Sequence, residues 1–356
     1  MSIMSKSRLV VLLAFAPVTL GAQSLARRVE AVRDGTVRFS YASRPGLCGD
    51  GRETVRSGPA FVVLPSMYGR GRSDIDMCFT GPVRVAIGRS NGATVSTRVH
   101  VGGRWSANDD ATDLGVVSAP AAARYLLDEA TRADGSNSEY ALAAAVFADS
   151  IDLTPDLARL ARDRDAKRGL RERAVFWIGT YDDATAFRTL RRLAAEESLD
   201  DDTRGAAIIA LGREDMSDED VAWFQSMYPA LSQRLRDNVF LAVSRSEGTR
   251  ASRWLAGIAA DGRETEHVRQ QAMFWLGQGR GPTEDLLRLY DHLPEPSLRS
   301  HYTFVLSQRR DREALDKLID VAQHDTDRSV RKQALFWLGQ SKDPRALAFI
   351  RDLVTR

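Results

Sequence analysis

The stretch Leu170-Arg-Glu-Arg-Ala-Val-Phe-Trp-Ile-Gly179 returns as Val268-Arg-Gln-Gln-Ala-Met-Phe-Trp-Leu-Gly277 and again as Val330-Arg-Lys-Gln-Ala-Leu-Phe-Trp-Leu-Gly339. Three looser copies lie between them: Thr203-Arg-Gly-Ala-Ala-Ile-Ile-Ala-Leu-Gly212, Leu235-Arg-Asp-Asn-Val-Phe-Leu-Ala-Val-Ser244 and Leu298-Arg-Ser-His-Tyr-Thr-Phe-Val-Leu-Ser307. The copies end 33, 32, 33, 30 and 32 residues apart, and Arg171, Arg204, Arg236, Arg269, Arg299 and Arg331 fill the second column every time. Self-similarity at such a period marks a stacked array of small units, none of which buries its apolar face alone.

Each column has a physical reading. In the first copy Ala174, Trp177 and Ile178 share one helix face at i, i+3, i+4 spacing. Phe176 lies on the opposite side, so the helix is apolar nearly all round, as expected of one sandwiched between neighbours. Alanine in its column allows close approach. Gly179, Gly212, Gly277 and Gly339 suit the left-handed conformation just past a helix end. The recurrent Trp177, Trp275 and Trp337, each preceded by Phe, read as core packing rather than as a ligand box.

Other amphipathic helices alternate with the copies over 184–195, 218–231, 311–322 and 343–353. Asp182, Asp218, Thr283 and Asp343 stand at N-cap or first-turn positions, and Pro344 in a first turn. A weaker pair over 119–131 and 139–149 lacks the arginine and reads as an atypical capping unit.

The pattern [Val/Leu]-Arg-x-x-Ala-x-Phe-Trp-Leu-Gly, set after an amphipathic helix and an acidic turn, resembles HEAT repeats of the Armadillo-like class, including the bacterial type related to phycobilisome-lyase repeats. The resemblance covers about residues 118–356. It implies a mainly α fold, a right-handed α-solenoid of about seven helix pairs. It also implies that each column arginine pairs with an acid of the preceding turn, a structural ladder for which Asp165, Asp202, Glu266 and Asp327 are candidate partners. Arg299, near Glu295 alone, is then the least costly of the six to remove.

Residues 23–110 read differently. Short alternating runs, 36–41, 83–87 and 94–99, are broken by turn clusters, and Ser90-Asn91-Gly92 is a hairpin signal because Asn-Gly accepts the positive φ of a type I′ turn. A small antiparallel β domain is expected. Cys48 and Cys78 are the chain's two cysteines, and a pair in an exported chain favours a disulfide, which contributes about 3–4 kcal/mol in the chain-entropy account. Gly49-Asp50-Gly51 reads as a turn rather than a calcium loop, since one carboxylate falls far short of a Ca²⁺ ligand set. Asp74 and Asp76 read as a solvated strand face.

Lys6 and Arg8, the apolar run Leu9–Leu20 and the small residues Gly21, Ala22 and Ser24 form a secretory signal over 1–22. The run is too short for a membrane span, and no cysteine follows it to carry a lipid. The location expected is periplasmic or secreted, with an uncleaved anchor as the alternative. Net charge of +2 hides an asymmetry. Residues 23–108 carry 13 Arg and no Lys against 6 acids, whereas 109–356 carry 35 basic against 42 acidic residues. Opposite charge suggests docking of the halves, or an anionic partner for the front one.

Signals of chemistry are lacking. His100, His267, His292, His301 and His324 show no metal spacing, and no nucleophile elbow, Walker loop or Rossmann glycine set appears. Deoxyhypusine hydroxylases, HEAT-like enzymes, hold iron through recurring His-Glu pairs; here only the reversed Glu266-His267 occurs. A bilin lyase would need a cytosolic setting. The expectation is therefore a non-enzymatic, exported scaffold with no cofactor and no metal, whose solenoid takes a protein or peptide partner, with no specific nucleic-acid partner. The second reading is an anionic envelope polymer gripped by the basic β segment.

Overall fold

The structure is a computed structural model, and it describes residues 25–51, 54–57, 60–63, 78–105, 110–181 and 183–355. The secretory signal expected over 1–22, the expected Asp74/Asp76 face and Asp182 lie outside those residues. The chain forms two compact units, the first ending at Thr180 and the second running from Tyr181.

The first unit opens with a helical segment α1 over 25–30 and continues through β1 (Gly35–Tyr41), β2 (Leu47–Gly49), β3 (Thr54–Ser57), β4 (Ala60–Val63), β5 (Val83–Ser90), β6 (Ala93–Val101) and β7 (Ala111–Val116). Helices α2 (Ala119–Arg132), α3 (Gly135–Val146), α4 (Thr154–Arg162) and α5 (Arg168–Ile178) follow. A four-stranded sheet has the order β6-β5-β1-β7, and β2-β3-β4 form a second, antiparallel one. Asn91 and Gly92 take φ of 51° and 79° at the β5–β6 turn, the left-handed pair a type I′ hairpin needs.

The expectation of an antiparallel sheet holds at every pairing except one: β7 runs parallel to β1. The order of strands explains this. β6 runs in the same direction as β1, and after it the chain crosses back over the sheet before pairing Ala111 with Thr36 at the start of β1. The crossover lays residues 102–105 against the sheet.

Alternation sorts the strands' side chains. Val37, Phe39, Tyr41, Val85, Ile87 and Val99 are buried on the face that α2 and α3 cover. Phe39 meets Tyr125 edge-on at 6.3 Å, and the buried Tyr41 hydroxyl donates to the Ala144 carbonyl at 2.6 Å. The Asn137 amide bridges the edge strand, accepting from Thr97 N–H and donating to the Val95 carbonyl. The first helical pair thus closes the sheet's core. Cys48 on β2 is joined to Cys78 by a disulfide.

The second unit is helical throughout its described residues: α6 (Ala184–Ala195), α7 (Asp201–Leu211), α8 (Asp218–Met227), α9 (Gln233–Ser244), α10 (Thr249–Ala260), α11 (Glu266–Gln278), α12 (Thr283–Leu289), α13 (Pro296–Gln308), α14 (Arg312–His324), α15 (Arg328–Gln340) and α16 (Pro344–Thr355). They form two layers. One stacks α8, α10, α12, α14 and α16; the other stacks α7, α9, α11, α13 and α15, whose sequences are the repeated copies. Asp183, Asp200, Ser232, Thr265, Asp311 and Asp327 cap their helices with side-chain oxygens.

The glycine column is not a set of left-handed caps. Gly179 has φ of −65° and Gly212 of −74°, while Gly277 and Gly339 lie inside helices. A Cβ built on Gly212 would fall 2.6 Å from Ala242 Cα, and one on Gly277 2.1 Å from Val305 Cγ1. At Gly212 and Gly277 a side chain is excluded because the next unit's helix crosses there.

Candidate functional site

In the repeated helices the core takes the first, fifth and ninth columns. Ala174, Ala207, Val239, Ala272, Tyr302 and Ala334 are wholly buried, as nearly are Ile178, Val243, Leu306 and Leu338. The seventh column behaves differently. Phe176, Ile209, Leu241, Phe274, Phe304 and Phe336 are apolar in every copy, yet none is buried; Phe176 is 42% and Phe336 53% exposed. The all-round burial expected of these helices therefore fails on this side. Each has neighbours laterally and one layer behind it, and its fourth side is open.

Along α7, α9, α11, α13 and α15 this column forms an apolar stripe that turns aromatic toward the last three helices. The rings of Phe274 and Phe304 stand 6.4 Å apart and nearly parallel, and Phe304 lies 5.2 Å from Trp337. His301 packs against Phe304 at 5.8 Å. Burial holds its imidazole below the ordinary value of 6.5, against the upward pull of a Gln270 backbone hydrogen bond and the Glu266 charge, so it is neutral at pH 7. Gln270 and Gln333 border the stripe without net charge.

Trp337 also walls a recess of about 510 Å³ beside the loops that follow α13 and α15. Leu306, Leu315 and Leu318 give it an apolar floor, and Arg309, Asp311, Lys342 and Asp343 a charged rim. The buried Trp337 Nε1–H has no acceptor among the described residues. The tryptophan column, read as core, divides: Trp177 is 2% exposed, but Trp275 and Trp337 are only part-buried. Apolar anchors beside part-exposed rings are enriched at the centres of protein interfaces.

The arginine column forms a ladder with a different rung. Each guanidinium reaches back to a carbonyl near the end of the preceding helix or turn. Arg171 donates to Ala166, Arg204 to Ala194, Arg236 to Pro229, Arg269 to Ala259, Arg299 to Leu293 and Pro294, and Arg331 to Asp325 and Thr326. Arg236, Arg269 and Arg299 also reach forward to an acid of the following unit: Glu264 at 3.5 Å, Glu295 at 2.9 Å and Asp325 at 2.9 Å.

Three of the acids proposed from sequence have other partners. Asp202 pairs with Arg234, Glu266 accepts from Gln270, and Asp327 caps α15. Asp165 sits in the turn whose Ala166 carbonyl Arg171 takes. The expectation for Arg299 is reversed: its partner Asp325 has a side chain 1% exposed and accepts from the Tyr290 hydroxyl as well. Among the described residues no group of His, Cys, Asp and Glu is placed to hold a metal ion, and no helix is long and apolar enough to cross a membrane.

Comparison with family models agrees with this architecture. Residues 283–356 match the family model of HEAT repeats. No curated protein matches the chain. Among solved structures, human deoxyhypusine hydroxylase in complex with glycerol is similar at 19% identity, with 66% of this chain and 88% of that one covered and a TM-score of 0.28; a likeness of that degree carries nothing about activity. Residues 283–356 are thus HEAT repeats, and the helices before them stack in the same way and carry the same arginine and apolar columns.

Proposed function

We propose that the protein is an exported, non-enzymatic scaffold whose second-unit stripe docks a protein or peptide partner. The observation that carries this reading is the seventh column. It is apolar in all six copies although the fold buries none of its members, so its chemistry answers to something other than the core. Half-exposed aromatics of this kind supply much of the energy where proteins bind. The Trp337 recess offers a socket for one apolar side chain with polar groups at its rim. Export is supported by the disulfide, a bond that persists in oxidising compartments, and by the apolar run near the N-terminus.

The test is capture by a photo-crosslinking residue placed at Phe336 in the full chain, using envelope and secreted fractions. One predominant partner should be captured, and the variant Phe274→Ser/Phe304→Ser should lose it while keeping the parent's melting temperature within a few degrees. Undiminished capture by that variant would exclude the stripe as the docking face. A broad hydrolase screen showing turnover would overturn the non-enzymatic part.

A further inference from the structure

Away from the helical array, the outward face of the four-stranded sheet holds a recess of about 290 Å³ with an unusual charge arrangement. Cross-strand register builds it. Arg38 on β1, Ala86 on β5 and Arg98 on β6 stand abreast, and the adjacent row is Ser40, Arg84 and His100. The central strand carries Ala86 between Arg38 and Arg98, so the floor is hollow between basic walls. The crossover to β7 sets Trp105 over it, with the guanidinium carbons of Arg84 and Arg38 4.9 and 5.3 Å from the ring centroid.

Arg84 is the informative residue. It is only 5% exposed, yet no carboxylate lies within ion-pair distance of it among the described residues. Its Nε donates to the Gly102 carbonyl at 2.7 Å and its Nη2 to the Gly51 carbonyl at 2.9 Å. Nη1 has no protein acceptor among the described residues. Glycine is required around it: Gly102 and Gly103 have φ of 69° and 71°, and a Cβ on Gly103 would come 3.0 Å from Nη2. A buried cation is normally paired. Here the loops hold the guanidinium in place through carbonyls, and no described carboxylate pairs with it. Arg98 and Arg104, both exposed, add two positive charges to the lining, against Asp110 at the rim; Asp113 is taken by Arg38 at 2.9 Å.

We propose that this recess binds a small organic anion of about the size of a hexuronic acid, its carboxylate or phosphate held by Arg84 and Arg98 and its ring laid against Trp105. Guanidinium forks match such oxyanions in geometry and charge, and the volume is at the small end of ligand sites. The site belongs to the first unit and is independent of the stripe proposed above.

Isothermal titration of the full chain with glucuronate, glucose 6-phosphate and glucose tests it. At least one of the two anions should bind saturably in the micromolar to low millimolar range, and neutral glucose should not. The Arg98 side chain is exposed and donates to no described carboxylate, so Arg98→Ala should weaken binding about tenfold without lowering the melting temperature. Arg84→Gln should abolish binding; if it also unfolds the sheet, Arg98→Ala and Arg104→Ala still decide the matter. The proposal is overturned if neither anion binds, if glucose binds as well as they do, or if the Arg98 and Arg104 variants keep full affinity.

Discussion

Arg299 and Arg331 occupy the same column one unit apart, but they answer to different surroundings. Arg299 holds an almost fully enclosed Asp325 with two nitrogens. Burial works against that carboxylate, and hydrogen bonds from Tyr290, the Asp327 backbone and Arg299 overcome it and hold it below the usual range. Arg299→Ala should therefore cost about 3–5 kcal/mol, the range for stranding one member of a buried pair. Arg331, which donates to two carbonyls and no described carboxylate, should cost about 1 kcal/mol when removed. Urea melts of both variants, with a double-mutant cycle through Asp325→Asn, measure the difference; equal costs would mean that the forward rung contributes nothing. His301 gives a pH test. Its folded-state value is depressed, so below about pH 6.5 the unfolded chain binds a proton that the folded chain does not, and stability falls as pH falls. His301→Gln should flatten the stability profile between pH 7 and 5 relative to the parent, and an unchanged slope would contradict the burial.

At the scale of the element, the glycine column separates two explanations of one residue type. A left-handed cap tolerates no side chain because of its backbone; a crossing point tolerates none because of its neighbour. The observed φ values and the Ala242 and Val305 approaches select the second. Gly212→Ala and Gly277→Ala should each destabilise by about 1–3 kcal/mol through overpacking. Gly339→Ala, with Ile350 Cδ1 as its nearest neighbour at 4.0 Å, should be neutral or stabilise by up to about 1 kcal/mol, as alanine does within a helix. Thermal melts of the three order them, and a left-handed cap would make all three unfavourable. The helices themselves were legible, since periodicity locates 184–195 to the residue and the others within a few. What glycine did in each was not, because a single helix does not record where its neighbour crosses. The seventh column was visible too, but helical spacing alone cannot separate a face that is sandwiched from one left open. Similarly, the alternating runs marked the strands that carry Arg38, Arg84 and Arg98, but the register that sets these side by side and the crossover that brings Trp105 to them are recorded in no local pattern.

At the scale of the second unit, stability is expected to follow the one-dimensional logic of an array in which each pair leans on the next. Tyr302, wholly buried on α13, is packed between units, its ring 5.5 Å from Tyr290. Leu338, as fully buried, lies on α15, where α14 and α16 flank it. Truncating either to alanine removes a comparable core contact, costing about 2–5 kcal/mol. The consequences should differ in reach. At Leu338 the loss falls on a unit whose outer side already exposes Leu347 and Leu353, at 51% and 50%, so amide protection should drop from α14 through α16 and little elsewhere. At Tyr302 the loss falls on an internal interface. Protection should drop in α11 through α15, and the denaturant transition should broaden as the units on either side cease to unfold together. Hydrogen exchange followed by mass spectrometry resolves both patterns at the level of single helices. If Tyr302→Ala and Leu338→Ala instead lower protection evenly from α6 to α16, the unit folds as one cooperative block, and nearest-neighbour stacking is not what divides its stability.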